Sequence, residues 1–311
     1  MKNIKIGILG YGNLGKSVEK AVKRQADMEL VSIYSRRKLD HPMGKHVDAL
    51  HTGEPIDILI LCGGSASDLP KQTPEFARRY NVIDSFDHHQ QIQNHYNQVD
   101  IAAREGGRLA LISCGWDPGL FSMMRSVFQA ILPTPQIFTF WGKGISQGHS
   151  DAIRRIKGVQ DARQYTVPLE HAVEAAKSGR LDAGEMHPEK MHRRECFVVV
   201  EEGADRERIT YEIKNMPDYF AGYETTIHYV SQEKLETEHS GFPHGGTVAG
   251  AGEGVKGAFH LELQSNPDFT AGILTAYSRV VYNMAKEGVT GCKTMMDIPL
   301  AKLCEDMFMH F

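Results

Sequence analysis

An apolar strand that runs directly into a glycine-rich turn constrains this chain more than any other feature. Ile4, Ile6 and Ile8 alternate with Lys5 and Gly7, and Gly10-Tyr11-Gly12-Asn13-Leu14-Gly15 follows at once. Leu14, Val18, Ala21 and Val22 then recur at helical spacing, with Lys16, Glu19, Lys20 and Lys23 on the opposite side. A G-x-G-x-x-G run acquires meaning in this strand–turn–helix context, because each glycine then has a separate task. Gly10 permits the tight turn, Gly12 lets the backbone approach a pyrophosphate, and Gly15 lets the helix pack close to the strand. The helix N-terminus adds free N–H groups and partial positive charge. Gly10 to Gly15, with Tyr11, Asn13 and Leu14 between the glycines, is therefore expected to bind a dinucleotide.

The next elements extend the pattern. Leu30 to Tyr34 reads as a second strand, Ile58 to Leu61 as a third, Val82-Ile83 as a fourth and Leu109 to Ile112 as a fifth. One intervening helix is opened by Thr73 as N-cap with Pro74 at its first position. Another carries Ile92, Tyr96, Val99 and Ala103 on one face and stops at Gly106-Gly107. This alternation predicts an α/β fold with a Rossmann-type, doubly wound parallel sheet. Where an NAD site would carry Asp or Glu, the second strand ends in Ser35-Arg36-Arg37, and two guanidiniums with a hydroxyl suit a 2′-phosphate. NADP(H) is the cofactor this predicts. Gly63 and Gly64-Ser65-Ala66-Ser67 leave the third strand at its carboxyl end and are expected to line the same cofactor.

Past Gly115 the pattern changes. A helix presents Leu120, Met124, Val127, Phe128 and Ile131, and strand-like runs follow at 137–141, 196–200, Ile209-Tyr211-Ile213, 226–230 and Phe259-Leu261-Leu263. They predict an α+β part with a mixed or antiparallel sheet. Val167 to Met191 reads as a polar surface excursion without a core face. Asn266-Pro267 opens a long helix through Ile273, Tyr277, Val280 and Met284, positioned in sequence to return to the first domain. The expected organisation is a dinucleotide-binding domain from 1–117 and 265–311, with 118–264 inserted as a second domain.

Composition excludes several classes of function. Across 311 residues, Lys+Arg 35 against Asp+Glu 39 gives a net charge of −4, without the basic footprint that nucleic acid requires. No apolar run approaches the roughly 18 residues of a membrane span, and the first residues lack the apolar core of a signal peptide. Cys62, Cys114, Cys196, Cys292 and Cys304 are scattered without a C-x-x-C pair, which points to a reducing cytoplasm. Although the chain has 15 histidines, adjacent His88-His89, and His239 with His244 in a Gly/Pro turn, lack metal-ligand spacing, so no metal is expected.

Unusual residues gather in Ser85-Phe86-Asp87-His88-His89, in Gly115-Trp116-Asp117-Pro118-Gly119 and in the stretch from Trp141 to Asp151. Asp87 and Asp117 follow predicted strands, which places both at the carboxyl edge of the sheet, where a carboxylate pair suits a cationic amine. The alternatives are an Asx-turn at Asp117 and a helix N-cap at Asp87.

Seven phrases, namely Gly10 to Gly15, Ser35-Arg36-Arg37, Gly115 to Gly119, Ser146-Gln147-Gly148-His149-Ser150-Asp151, Met216-Pro217-Asp218-Tyr219-Phe220, Phe242-Pro243-His244-Gly245-Gly246 and Asn266-Pro267-Asp268-Phe269-Thr270, together resemble the meso-diaminopimelate dehydrogenases. The resemblance implies NADP-dependent oxidative deamination at the D-configured centre of meso-2,6-diaminopimelate by a cytoplasmic homodimer, with the inserted domain binding substrate and forming the dimer. It also implies roles. Asp87 and Asp117 hold the reacting amine and Asp117, with Asp87 as its partner, assists proton movement, while Trp116 and Trp141 wall the site. Gln147 and the Gly148 backbone take the near carboxylate. Thr166, Arg194 and His244 grip the distal carboxylate, and Asn266 meets the distal amine. Ser85, Pro118 and Gly119 complete the cofactor set. Without the resemblance, Arg194 reads as a solvated strand-edge arginine, His244 as a turn residue and Thr166 as an ordinary strand hydroxyl. Another amino-acid or semialdehyde dehydrogenase of this architecture, or a non-catalytic NADPH sensor, would keep the glycine turn without the distal grip.

Overall fold

A computed structural model describes residues 3–181, 187–241 and 243–303. Phe242 and Cys304, both named above, lie outside the described residues, as does part of the 167–191 stretch. The strands are β1 (Ile4–Leu9), β2 (Met28–Ser35), β3 (Gly44–His46), β4 (Ile58–Leu61), β5 (Asn81–Asp84), β6 (Leu109–Ile112), β7 (Gln136–Trp141), β8 (Gly144–Ile145), β9 (Val159–Pro168), β10 (His192–Val200), β11 (Thr225–Tyr229), β12 (His244–Gly252), β13 (Val255–Leu263) and β14 (Gly291–Thr294). The helices are α1 (Asn13–Lys23), α2 (Leu69–Ala77), α3 (Ile92–Gly106), α4 (Phe121–Ile131), α5 (Gln147–Arg154), α6 (Glu170–Lys177), α7 (Pro188–Met191), α8 (Arg206–Lys214), α9 (Gln232–Glu238) and α10 (Asn266–Lys286). They fall into two compact units: the described residues up to Met123 together with those from Pro267 onward, and Met124–Asn266.

The first unit is built on a seven-stranded parallel sheet in the order β14-β6-β5-β4-β1-β2-β3. Its central strands β1, β4, β5 and β6 are buried on both faces, and their apolar runs split by the period of two. On β4, Ile58 and Ile60 join one core with Val18 and Val22 of α1 and Leu274, Tyr277 and Val281 of α10. Leu59 and Leu61 join the other, with Leu69 and Phe76 of α2 and Val99 and Ala103 of α3. Each such fully buried side chain contributes roughly 1.5–3 kcal/mol. Arg279 of α10 grips Asp27 through two bonds of 2.6 and 2.8 Å, and Ser17 donates to Asp268 at 2.6 Å, which anchors α10 to the turn before β2 and to α1. The order of the strands reverses between β1 and β4, and in open parallel sheets ligands bind at the carboxyl ends on either side of such a switch point.

The second unit carries two sheets. One is mixed, β11-β10-β9-β8, with β10 parallel to β11 and antiparallel to β9; the other is antiparallel, β13-β12-β7.

Four local expectations are corrected. Ile209, Tyr211 and Ile213 lie on helix α8, capped by Asp205, whose side chain accepts from the Arg208 N–H; Ile209 and Ile213 are buried while Tyr211 is 70 % exposed. Apolar residues two apart also include a pair four apart, and the cap decides for helix. Thr73 and Pro74 lie inside α2, which begins at Leu69, and the Thr73 hydroxyl is buried on Asp84. The 167–191 stretch has a core face after all, since Ala172 and Ala176 of α6 pack with Phe138, Phe140, Met191 and Ala249. On α4, Val127 and Ile131 are exposed, and Phe121 and Phe128 are the buried side chains. Short or glycine-rich β3, β8, β12 and β14, and β9 apart from the strand-like stretch around Thr166, are not visible as strands in the sequence.

Candidate active site

The turn after β1 forms as its glycines require. Gly10 has φ 97°, in the left-handed region, and its N–H donates to the Tyr34 carbonyl. A Cβ on Gly15 would stand 2.1 Å from the Gly10 carbonyl oxygen, so α1 can approach β1 only without one. A Cβ on Gly12 would meet nothing within 4 Å, so at that position the backbone faces open space. Gly12 is the N-cap of α1 and no side chain caps the first turn, which leaves N–H groups and the positive helix end facing outward.

This turn lines one side of a cleft of about 550 Å³; Ser35, Arg36, Arg37, Lys38 and Leu39 form a second side, and Cys62, Gly63, Gly64, Asp68 and Gln72 a third. Of the expected cofactor residues, Gly10, Tyr11, Gly12, Ser35, Arg36, Arg37 and Gly64 therefore meet in one place. Ser67 lines an adjoining depression of about 290 Å³ beside Arg36 and Asp68. Leu14 packs against the core and Pro118 and Gly119 are buried, while Asn13, Gly15, Ser65, Ala66 and Ser85 lie off the cleft wall. Ser65 has another contact: its hydroxyl accepts the Asp87 N–H at 3.1 Å, tying the turn after β4 to the turn after β5.

Two acidic residues of the cleft region were missed. Asp68 accepts from Arg36 at 2.6 Å and from the Gly64 N–H at 3.1 Å. So Asp68, at the start of α2, ties Arg36 to the turn after β4. Its signal was Asp68-Leu69-Pro70, an N-cap with proline in the first turn, which the reading centred on Thr73-Pro74 overlooked. Glu19, assigned above to the solvated side of α1, is 8 % exposed and gathers Tyr11, Lys23 at 2.6 Å and His41 at 3.2 Å. Burial works to raise its carboxyl, but the bonds from Lys23 and Tyr11 outweigh burial and hold it below its ordinary value. The same bond to Glu19, aided by burial, pushes the Tyr11 phenol up to about 12. Tyr11 is thus fixed as a neutral wall of the cleft, and His41 ties the segment after Arg36-Arg37 to α1.

Asp87 and Asp117 follow β5 and β6, neighbouring strands of the parallel sheet. Asp87 is exposed and caps no helix, since His88 and Gln91 hold the N-cap positions that follow. Asp117 is half-buried in an irregular turn where Asp117 and Pro118 are extended and Gly119 has φ 129°. Trp116 packs edge-on against Phe121, ring centroids 5.2 Å apart.

In the second unit Arg194 and Thr166 are cross-strand partners on β10 and β9, and the guanidinium donates to the Thr166 hydroxyl at 2.5 Å. Arg194 is 8 % exposed, lies 4.0 Å from the centroid of the Tyr223 ring, and has no acceptor for its Nε and no carboxylate partner among the described residues. Burial pulls its pKa below the ordinary value. It is not a solvated strand-edge arginine. His244 opens β12, and Gln147 and Gly148 are exposed in the first turn of α5, whose N-cap is Ser146. Trp141, 44 % exposed, ends β7; its N–H donates to His192 Nε2 at 3.1 Å, and the two rings stack. Burial pushes His192 down to about 4; burial and then the Arg194 charge do the same to His149, which shares a 2.6 Å bond with Ser146. Both histidines escaped the sequence reading, which had no burial information to set them apart. Asn266 begins α10.

Among the described residues, no cluster of three His, Cys, Asp or Glu could hold a metal, and no helix is long and apolar enough to cross a membrane. Residues 115–265 match the model of the diaminopimelic acid dehydrogenase C-terminal domain. The chain is 50 % identical to a meso-diaminopimelate D-dehydrogenase of Acetivibrio thermocellus over 97 % of its own length and 95 % of the relative's. It is similar to the solved structure of C. glutamicum DAP dehydrogenase in complex with DAP, with TM-score 0.88, 43 % identity and coverage of 100 % of this chain and 98 % of that one. An engineered D-amino acid dehydrogenase bound to NADP+ aligns with TM-score 0.83 and 41 % identity over 99 % of this chain and 98 % of that one.

Proposed function

Since the chain belongs to the meso-diaminopimelate D-dehydrogenase family, we infer that it catalyses the reversible, NADP-dependent oxidative deamination of the D-centre of meso-2,6-diaminopimelate. The products are L-2-amino-6-oxopimelate, which cyclises to tetrahydrodipicolinate, and ammonia, a step of lysine biosynthesis. The observation that carries the reading is Arg194: a buried guanidinium without a carboxylate partner among the described residues calls for a carboxylate from the substrate. A generic amine or semialdehyde dehydrogenase, or an NADPH sensor, has no use for it.

The open face of Gly12, the free first turn of α1 and the guanidiniums of Arg36 and Arg37 fit NADP(H). When bound, it accepts the hydride from the D-centre; the chain supplies alignment and electrostatics. The first unit is the dinucleotide-binding domain, and the second binds substrate and forms the dimer. Asp87 and Asp117 hold the reacting amine. Asp117 takes the proton that leaves this amine before hydride transfer and aids the later attack of water on the imine. Trp116 and Trp141 flank the substrate, and Gln147 with the Gly148 N–H takes the near carboxylate. Arg194, Thr166 and His244 take the distal carboxylate, and Asn266 the distal amine. The protein acts as a cytoplasmic homodimer, in keeping with the free thiols of Cys62, Cys114, Cys196 and Cys292; sedimentation at twice the chain mass tests the dimer.

The test of function mixes protein, NADP+ and meso-diaminopimelate at alkaline pH and follows NADPH absorbance, with the LL and DD isomers and NAD+ as controls. Rapid reduction with the meso isomer and NADP+ alone is expected. Tight NADPH binding without turnover on any isomer would favour the sensor.

A further inference from the structure

We propose that Asp84 is a positioning residue for this reaction: its buried carboxylate sets the two turns that carry Asp87 and Asp117. The proposal rests on the roles given above to that pair.

Asp84 is the last residue of β5 and is 0 % exposed. A carboxylate so placed is tolerated only when its lone pairs are satisfied, and here all four positions are used. Oδ1 accepts the Phe86 N–H and the Ser113 N–H, each at 3.0 Å. Oδ2 accepts the Thr73 hydroxyl at 2.7 Å and His95 Nε2 at 2.9 Å. Since the carboxylate only accepts, the His95 hydrogen sits on Nε2. The His95 ring stacks on Phe86, centroids 4.1 Å apart.

The two Oδ1 partners matter most. Phe86 adjoins Asp87, and Ser113 starts the turn that leads through Cys114 and Gly115 to Trp116 and Asp117. A single oxygen therefore holds both turns in mutual register at the ends of neighbouring strands. Ser113 also has φ 57°, a left-handed conformation that a non-glycine residue keeps only when its surroundings impose it. Asp84 imposes it twice, with Oδ1 on the Ser113 N–H and its own carbonyl on the Cys114 N–H at 2.9 Å. Buried and fully bonded, Asp84 acts through these turns, whereas Asp87 and Asp117 are the groups proposed to meet the amine.

Asp84→Asn tests this in the otherwise native full-length enzyme. NADPH binding, followed by fluorescence, is expected to stay within about twofold, because the glycine turn and Arg36 make no bond to Asp84. The kcat for meso-diaminopimelate is expected to fall about tenfold to a hundredfold, the usual loss when reacting groups move by about an ångström. The primary isotope effect with substrate deuterated at the D-centre should rise as hydride transfer becomes the slow step. A native kcat would overturn the proposal, and so would a parallel loss of NADPH binding, which signals general damage to the fold. Should Asp84→Asn be insoluble, Thr73→Val removes a single Oδ2 donor; about threefold lower kcat with the same raised isotope effect is expected, and native turnover would overturn the role. Native enzyme that binds NADPH but leaves all three diaminopimelate isomers untouched would refute the functional reading itself, and Asp84's role with it.

Discussion

A guanidinium that is 8 % exposed and stacked on Tyr223 has lost most of its water, and in exchange it donates to the Thr166 hydroxyl and has no carboxylate partner among the described residues. Removing that charge should therefore cost little in the free protein and much in the complex. Arg194→Met is expected to lower kcat/KM for meso-diaminopimelate about a hundredfold or more, the scale of truncating one partner of a buried charge pair. D-alanine, which has no distal carboxylate, should lose less than about threefold, because nothing on it reaches Arg194. Equal losses on the two substrates would make Arg194 a structural residue. Asp117 invites a different measurement, since a proton carrier and an amine ligand fail differently. Asp117→Asn should cut kcat about a hundredfold or more, in line with general acid–base contributions. If only KM rises, Asp117 binds and does not carry the proton.

The turn between β1 and α1 separates two glycines that look alike in the sequence. At Gly15 a methyl would collide with the Gly10 carbonyl at 2.1 Å, so Gly15→Ala is expected to destabilise by about 1–3 kcal/mol in urea unfolding. At Gly12 a methyl would meet nothing, and Gly12→Ala should stay within about 0.5 kcal/mol of native stability while weakening NADPH binding at least tenfold, because the methyl projects into open cleft space. Similar unfolding midpoints for the two variants would contradict this division of labour. The same turn marks how far elements were legible. Where local chemistry and tertiary packing agree, as in β1, β4, β6 and α3 with its left-handed Gly107, the pattern identified the element. Where they diverge, it did not. The β12 sequence is mostly glycine and alanine and has little strand propensity, yet it is a strand because β7 and β13 approach it closely; a Cβ on Gly246 would stand 2.0 Å from the Phe140 carbonyl oxygen. The period-two reading of Ile209 to Ile213 failed because only a helix buries both isoleucines and turns Tyr211 outward. Candidate residues divide likewise: Gly10, Arg36 and Asp117 stand out by their place after strands, whereas Asp68, Glu19, His149 and His192 depend on partners distant in the chain or on burial.

At the scale of the molecule, acid should act on the two units in different pH ranges. In the second unit burial pushes His192 and His149 down to about 4 and also lowers His239, against an ordinary value of 6.5. These imidazoles stay neutral in the fold while the unfolded chain takes up protons, so stability is complete above about 6.5 and declines as pH falls toward about 4. For His192, 3 % exposed, the decline is at most about 1.4 kcal/mol per pH unit. Both its ring nitrogens are engaged, Nε2 by the Trp141 N–H and Nδ1 by the Pro188 carbonyl, so its protonation must break the first of these bonds. In the first unit the displaced groups that titrate in acid are carboxylates. The bonds from Arg279 lower Asp27; bonds to Glu19 and Asp100 lower them in spite of burial. Carboxylates held low contribute stability that is whole above their ordinary values of 4.5 and 3.8 and is lost only as pH falls below them. The chain's two tryptophans report the units separately, Trp116 the first and Trp141 the second. In urea titrations read by fluorescence, the Trp116→Phe protein should lose midpoint steadily from pH 6.5 toward 4, with the Trp141 signal. The Trp141→Phe protein, read through Trp116, should hold its midpoint until the pH drops below about 4.5. Midpoints that fall together from pH 6.5 in both proteins would mean that the histidines of the second unit do not set its acid limit.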